Sequence, residues 1–182
     1  MNIVVYFMCR LLFYYSKKKS LPLSFVQRFL DQSIHEKKYT PFVNNHRDHV
    51  NHTDGYGVSI WNKKKWNTYK YAGLYKDDPN FDVFQQGLYL MPRKRVIGHI
   101  RSMDSAPLKH ENTHPFFYKD NVFAHNGMIM NIQENRNELL KYISPKLQNQ
   151  IHGTTDSEIL FYMFLTILGE NPIVKMDNIV NA

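Results

Sequence analysis

Val96-Ile97-Gly98-His99-Ile100-Arg101, read with Asn121-Val122-Phe123-Ala124-His125-Asn126-Gly127, decides how this chain folds. Each is a short apolar run that ends in a polar cluster. Val96 to Ile100 is β-branched and apolar, which predicts a buried strand. Asn121 to Ala124 predicts another, and Asn126-Gly127 then supplies a turn dipeptide that tolerates positive φ. The same dipeptide closes ordinary hairpins. One strand delivering Arg101 and another delivering His125-Asn126-Gly127 would put a fixed cation beside hydrogen-bond donors. That arrangement suits an anionic substrate on which an oxyanion develops. It still needs a nucleophile.

Working outward, Met8-Cys9-Arg10 carries the only cysteine of the chain. If translation starts at Met8, or the chain is cut after it, Cys9 becomes the amino terminus. Nucleophile and base then share one residue: an α-amine of pKa ~7.7–8.0 is partly neutral near pH 7 and can take the thiol proton. A buried structural cysteine in a strand from Cys9 to Tyr15 is the alternative.

The bulk numbers narrow the class. A chain of 182 residues, 43% hydrophobic and 21% charged, suits one globular domain with a sizeable core. The net charge of +7 is concentrated in Lys17-Lys18-Lys19, Lys63-Lys64-Lys65 and Arg93-Lys94-Arg95. No nucleic-acid motif accompanies these runs, so they read as solvated faces. A single thiol excludes an internal disulfide and fits a reducing compartment, which places the protein in the cytoplasm. No apolar run reaches the ~18 residues of a membrane span. Ile3 to Tyr15 comes nearest, but Arg10 interrupts it and its basic cluster follows it, the wrong order for a secretory signal.

In chain order, Phe25, Val26, Phe29, Leu30 and Ile34 recur at helical spacing, with Ser24 as candidate cap. His46, His49 and His52 match no zinc signature and read as a solvated loop; no metal is expected. Thr53 to Gly57 is a turn opening a strand, with a hairpin return over Lys63 to Tyr69. Phe81 to Leu90 is a short helix or an extended connector. Ile132 to Ile143 reads as a helix. Thr155 with Glu158 fits a capping box before the apolar run Ile159 to Leu168, and Asp156 at that start suits the helix dipole.

Met8-Cys9-Arg10, Asp54-Gly55-Tyr56-Gly57-Val58, Gly98-His99-Ile100-Arg101, Glu111-Asn112-Thr113-His114-Pro115-Phe116, His125-Asn126-Gly127 and Gly153-Thr154-Thr155-Asp156-Ser157-Glu158 together resemble the class II glutamine amidotransferases. Within that family the chain looks like the branch of the stand-alone YafJ-like proteins and the yeast glutathione-degradation amidotransferase subunit. The resemblance implies an α+β N-terminal-nucleophile hydrolase fold, an αββα sandwich of two antiparallel sheets flanked by helices. It implies that Cys9 attacks a γ-carboxamide to give a γ-glutamyl thioester, with Asn126 and Gly127 forming the oxyanion hole. Arg101 would pair with the substrate α-carboxylate and Asp156 with the α-ammonium. No cofactor is implied.

Residues 1–8 read as an extension absent or removed in an active form, and residues 9–182 as the amidotransferase domain. Asp104 stands three residues after Arg101, where the family often has a neutral Thr or Asn, and would repel the substrate carboxylate. The domain ends before the strands that complete the second sheet in relatives, so the sandwich is expected to be incomplete at its C-terminus. The expected substrate is glutamine or a γ-glutamyl peptide, with ammonia released or handed to a separate acceptor or hydrolase subunit, and with neither nucleic acid nor membrane as partner. The competing reading is a catalytically inactive relative serving as a subunit or interaction module.

Overall fold

The computed structural model describes residues 9–34, 52–102 and 107–169. They fall in two units, Met1–Gly127 and Met128–Ala182. The first holds all the strands described. β1 (Arg10–Tyr15), β2 (Tyr56–Asn62), β3 (Lys65–Tyr71) and β4 (Arg95–Ile100) form an antiparallel sheet in the order β1-β4-β2-β3. The apolar run around Val96 therefore lies at the interior of the sheet, where a β-branched strand is most favoured.

One face of this sheet carries the core. Leu12, Val58, Ile60, Val96 and Ile100 pack with Val26, Phe29 and Leu30 of α1 (Leu23–Asp31) and with Phe84 and Leu88 of α2 (Phe81–Leu90). Gly98 permits that approach: a Cβ there would sit 2.8 Å from the Phe29 ring. Pro22 stands at the N-cap position of α1 without a side-chain capping bond, and Ser24 lies inside the helix. Proline at this boundary withholds no needed donor, since the first N–H groups of a helix have no partner within it. Phe81 to Leu90 resolves as helix because Phe84 and Leu88, four apart, both enter the core. Ahead of it Asp78 accepts the Tyr56 and Tyr69 hydroxyls, each at 2.6 Å, and the Asn80 N–H at 2.9 Å.

The opposite face meets a second antiparallel sheet, the hairpin of β5 (Phe116–Tyr118) and β6 (Asn121–Phe123). A Cβ on Gly57 would fall 2.2 Å from the His114 carbonyl oxygen, so only glycine lets the segment before β5 lie on the strand. The Trp66 indole N–H donates to the Asp120 carbonyl at 3.0 Å. Two antiparallel sheets with helices flanking the first are the architecture anticipated from sequence.

The hairpin return expected from Lys63 forms, whereas Asn126-Gly127 makes no turn of that kind. The β2–β3 hairpin closes on Lys63-Lys64, both left-handed with φ 46° and 71°, between the paired Asn62 and Lys65. Asn126-Gly127 closes no hairpin, and neither residue has positive φ. A Cβ on Gly127 would be 2.6 Å from Nε2 of the His125 ring, a side chain that can turn aside.

The second unit is helical: α3 (Ile132–Leu140), α4 (Pro145–Gln148) and α5 (Asp156–Leu168), with α3 and α4 both packed on α5. Ile159, Tyr162 and Leu165 of α5 are buried. Thr155 caps α5, its Oγ1 accepting the Glu158 N–H at 3.3 Å. The Glu158 carboxylate does not complete the capping box. It accepts the N–H groups of His152 at 3.0 Å and Gly153 at 2.7 Å. No described helix is long and apolar enough to cross a membrane.

Candidate active site

Antiparallel pairing decides which residues meet. Cys9 immediately precedes β1 and Arg101-Ser102 immediately follow β4, while the register opposes Arg10 to Ile100. Cys9 and Arg101 therefore emerge side by side at one end of the ladder. The Ser102 N–H lies 3.4 Å from the Cys9 sulfur, and the thiol points at the Ser102 carbonyl at 3.6 Å. Burial pushes the thiol pKa above its ordinary value; the Ser102 contact and the Arg101 cation pull it down, and Asp54 pushes it up again. The net shift is upward, so at neutral pH Cys9 is a thiol that needs a base.

Arg101 is fully buried. Its backbone N–H donates to Gly55 O at 2.8 Å, and Nη1 donates to the carbonyls of Asp54 and Pro107, each at 3.3 Å. The turn at Asp54-Gly55 thus seats the guanidinium. Burial lowers the Arg101 pKa, opposed by Asp54 and Cys9. From the segment after β6, Asn126 Nδ2 donates to the Cys9 carbonyl oxygen at 3.1 Å. Asn126 and Gly127 are both exposed. Cys9, Arg101 and Asn126 are thereby gathered from three remote points of the sequence.

Asp156 belongs to the second unit, at the first turn of α5. Its Oδ2 accepts the Ile129 N–H at 2.6 Å, and its Oδ1 accepts the N–H and hydroxyl of Ser157 at 2.6 and 3.1 Å. Asp104, His46, His49 and residues 1–8 lie outside the described residues. His52, expected in a solvated loop, is instead buried, its N–H donating to Ser33 O at 3.0 Å. Among the described residues no group of three or more His, Cys, Asp and Glu is arranged to hold a metal ion.

Two residues were not singled out from sequence. His99 and His114 are buried, with ring centroids 4.1 Å apart and planes inclined by 31°. Burial lowers both pKa values, that of His99 to about 3. Both are neutral near pH 7. His99 occupies the β4 position opposite Gly57, where the absent side chain leaves room for His114. Their presence inside two of the quoted motifs was the available signal.

In this two-sheet α+β core Cys9 stands directly ahead of the first strand, and Arg101 and Asn126 converge on it. The chain belongs to the class II glutamine amidotransferases, whose family matches residues 32–179. Cys9 lies ahead of the matched region. Over 73 residues the chain is 40% identical to a probable glutamine amidotransferase, DUG3, of Saccharomyces cerevisiae, a match covering 40% of this chain and 20% of that protein. A glutamine aminotransferase class-II domain protein from Silicibacter pomeroyi shares the fold, with a TM-score of 0.50 at 22% identity over 61% of this chain and 46% of the other.

Proposed function

We propose that this chain hydrolyses the γ-amide of glutamine or of a γ-glutamyl compound through a γ-glutamyl thioester on Cys9, in a form whose first residue is Cys9. In this reading residues 1–8 are a removable extension and 9–182 the amidotransferase domain. The observation that supports it best is the Asn126 side-chain amide 3.1 Å from the Cys9 carbonyl oxygen.

The free α-amine of Cys9 takes the thiol proton as sulfur attacks the amide carbon. The displaced electron pair moves onto the carbonyl oxygen, where the Asn126 amide and the Gly127 N–H receive it. Collapse of the tetrahedral species breaks the C–N bond, and the amine returns the proton to the departing ammonia. Water then attacks the thioester, restoring the thiol and releasing glutamate. With residues 1–8 attached, the Cys9 nitrogen is an amide and cannot accept a proton, so the uncut chain is inactive. Arg101 pairs with the substrate α-carboxylate; to Asp156 we assign the α-ammonium on its family motif. Ammonia is released or passed to a separate acceptor, and a reducing cytoplasm suits a free nucleophilic thiol.

The test is glutamate release from glutamine and from a γ-glutamyl peptide by protein starting at Cys9, with Cys9→Ser as control. Release abolished in the control is expected, and which substrate is faster identifies the leaving group. Release from neither overturns the reading.

A further inference from the structure

The three basic runs, read from sequence as solvated faces, converge. A cavity of about 450 Å³ at the end of the first sheet remote from Cys9 is lined by Tyr15, Ser16 and Lys17, by Trp61, Asn62 and Lys63, and by Pro92, Lys94 and Arg95. Each set follows or precedes a different strand, and together they contribute four cations and no carboxylate. None of the four is paired with a carboxylate among the described residues.

The arrangement is built by register. Tyr15 opposes Arg95, Ile60 opposes Val96 so that Trp61 flanks Arg95 on its other side, and Trp61 opposes Trp66. The row Tyr15-Arg95-Trp61-Trp66 thus crosses all four strands. The Arg95 guanidinium lies 5.6 Å from the ring centroids of both Tyr15 and Trp61, and Trp66 meets Trp61 edge-on at 5.5 Å. A guanidinium held between two rings loses little freedom on binding and presents its planar fork to an anion. Ser16 N–H to Lys94 O at 2.8 Å fixes the rim where Lys17 and Lys94 stand. Lys63 and Lys64 keep left-handed conformations that Asn-Gly would adopt at less cost, which puts cations where turn chemistry alone would not.

We propose that this cavity binds a nucleotide, its phosphates on Arg95, Lys17, Lys63 and Lys94 and its base against the exposed ring of Tyr15. The concavity and its volume fit a small ligand, whereas the phosphate backbone of a nucleic acid calls for an extended basic track. The five steps along β1 from Arg10 to Tyr15 separate this pocket from the candidate active site by roughly 17 Å, so it is a second site and not part of the glutamyl pocket. The same β1–β4 pair joins the two.

The test is a fluorescence titration of the full chain carrying Trp66→Phe, which leaves Trp61 as its one tryptophan. Saturable quenching by ATP is expected, with AMP about tenfold weaker and Arg95→Ala weakening ATP about tenfold. Lys18→Ala removes the same charge outside the cavity and should change affinity by less than about twofold. If Arg95→Ala fails to fold, Arg95→Lys keeps the charge without the fork and should still weaken ATP. Tripolyphosphate binding as tightly as ATP, a Lys18→Ala loss equal to that of Arg95→Ala, preferential binding of short single-stranded RNA, or no quenching would each overturn the proposal.

Discussion

The Asn126 side-chain amide donates to the main-chain oxygen of Cys9 at 3.1 Å. The amide therefore sits against the residue that would carry the nucleophile. An oxyanion forming on a carbon bonded to the Cys9 sulfur would develop within reach of the same donor. Asn126→Ala should lower kcat of protein starting at Cys9 by about 10²–10³-fold with KM little changed. Steady-state kinetics with glutamine check this; a loss confined to KM would contradict it.

Arg101 is fully buried, its Nη1 donating to the Asp54 and Pro107 carbonyls. Arg101→Lys keeps one charge and loses paired donation, which costs about 1.5–3 kcal/mol for a charged hydrogen bond. The KM for glutamine should rise about 10–100-fold. An unchanged KM in a folded variant would show that the guanidinium does not grip the substrate.

Two glycines on opposite faces of the sheet should behave differently. The Cβ of Gly57→Ala would lie 2.2 Å from the His114 carbonyl and 2.9 Å from Pro115, whereas that of Gly98→Ala meets the Phe29 ring at 2.8 Å. A backbone carbonyl held in a sheet-on-sheet contact yields less than a ring edge. Gly57→Ala should cost about 3 kcal/mol or more, and Gly98→Ala about 1–2 kcal/mol. Urea midpoints compare them, and equal or reversed losses would refute the packing argument.

Acid should weaken this fold. Burial depresses the pKa of His99 to about 3 and that of His114 well below its ordinary value of 6.5. The unfolded chain then binds protons that the folded one refuses, so stability is full above about pH 6.5 and falls as pH drops toward 3, by at most about 1.4 kcal/mol per pH unit for each group. Adjacent rings discourage a second proton further. Urea midpoints at pH 7 and pH 5 should differ in that direction, and His99→Gln should reduce the difference. Equal midpoints would contradict it.

Much of this was legible from residue order. The β-branched run ending at Arg101 announced the interior strand, and Thr155 with Glu158 announced the start of α5. Asn126-Gly127 shows that turn propensity is permissive only: the dipeptide tolerates positive φ, yet neither residue adopts it and no hairpin closes there. The return at Lys63 was expected, but not that two lysines would take left-handed conformations to make it. Pairing of Tyr15 with Arg95 and of Trp61 with Trp66 joins runs separated by dozens of residues, so the convergence of the basic clusters could not be read from their composition. The His99–His114 stack likewise depends on Gly57, in a third strand.

The account turns on a thiol and an amine belonging to one terminal residue. Its most direct measurement compares glutamate release from glutamine by two preparations of known intact mass, one beginning at Met1 and one at Cys9. Turnover is predicted only for the second, and its loss on blocking the free amine. Equal turnover by both preparations would contradict the amine's role as base, and the mechanism with it.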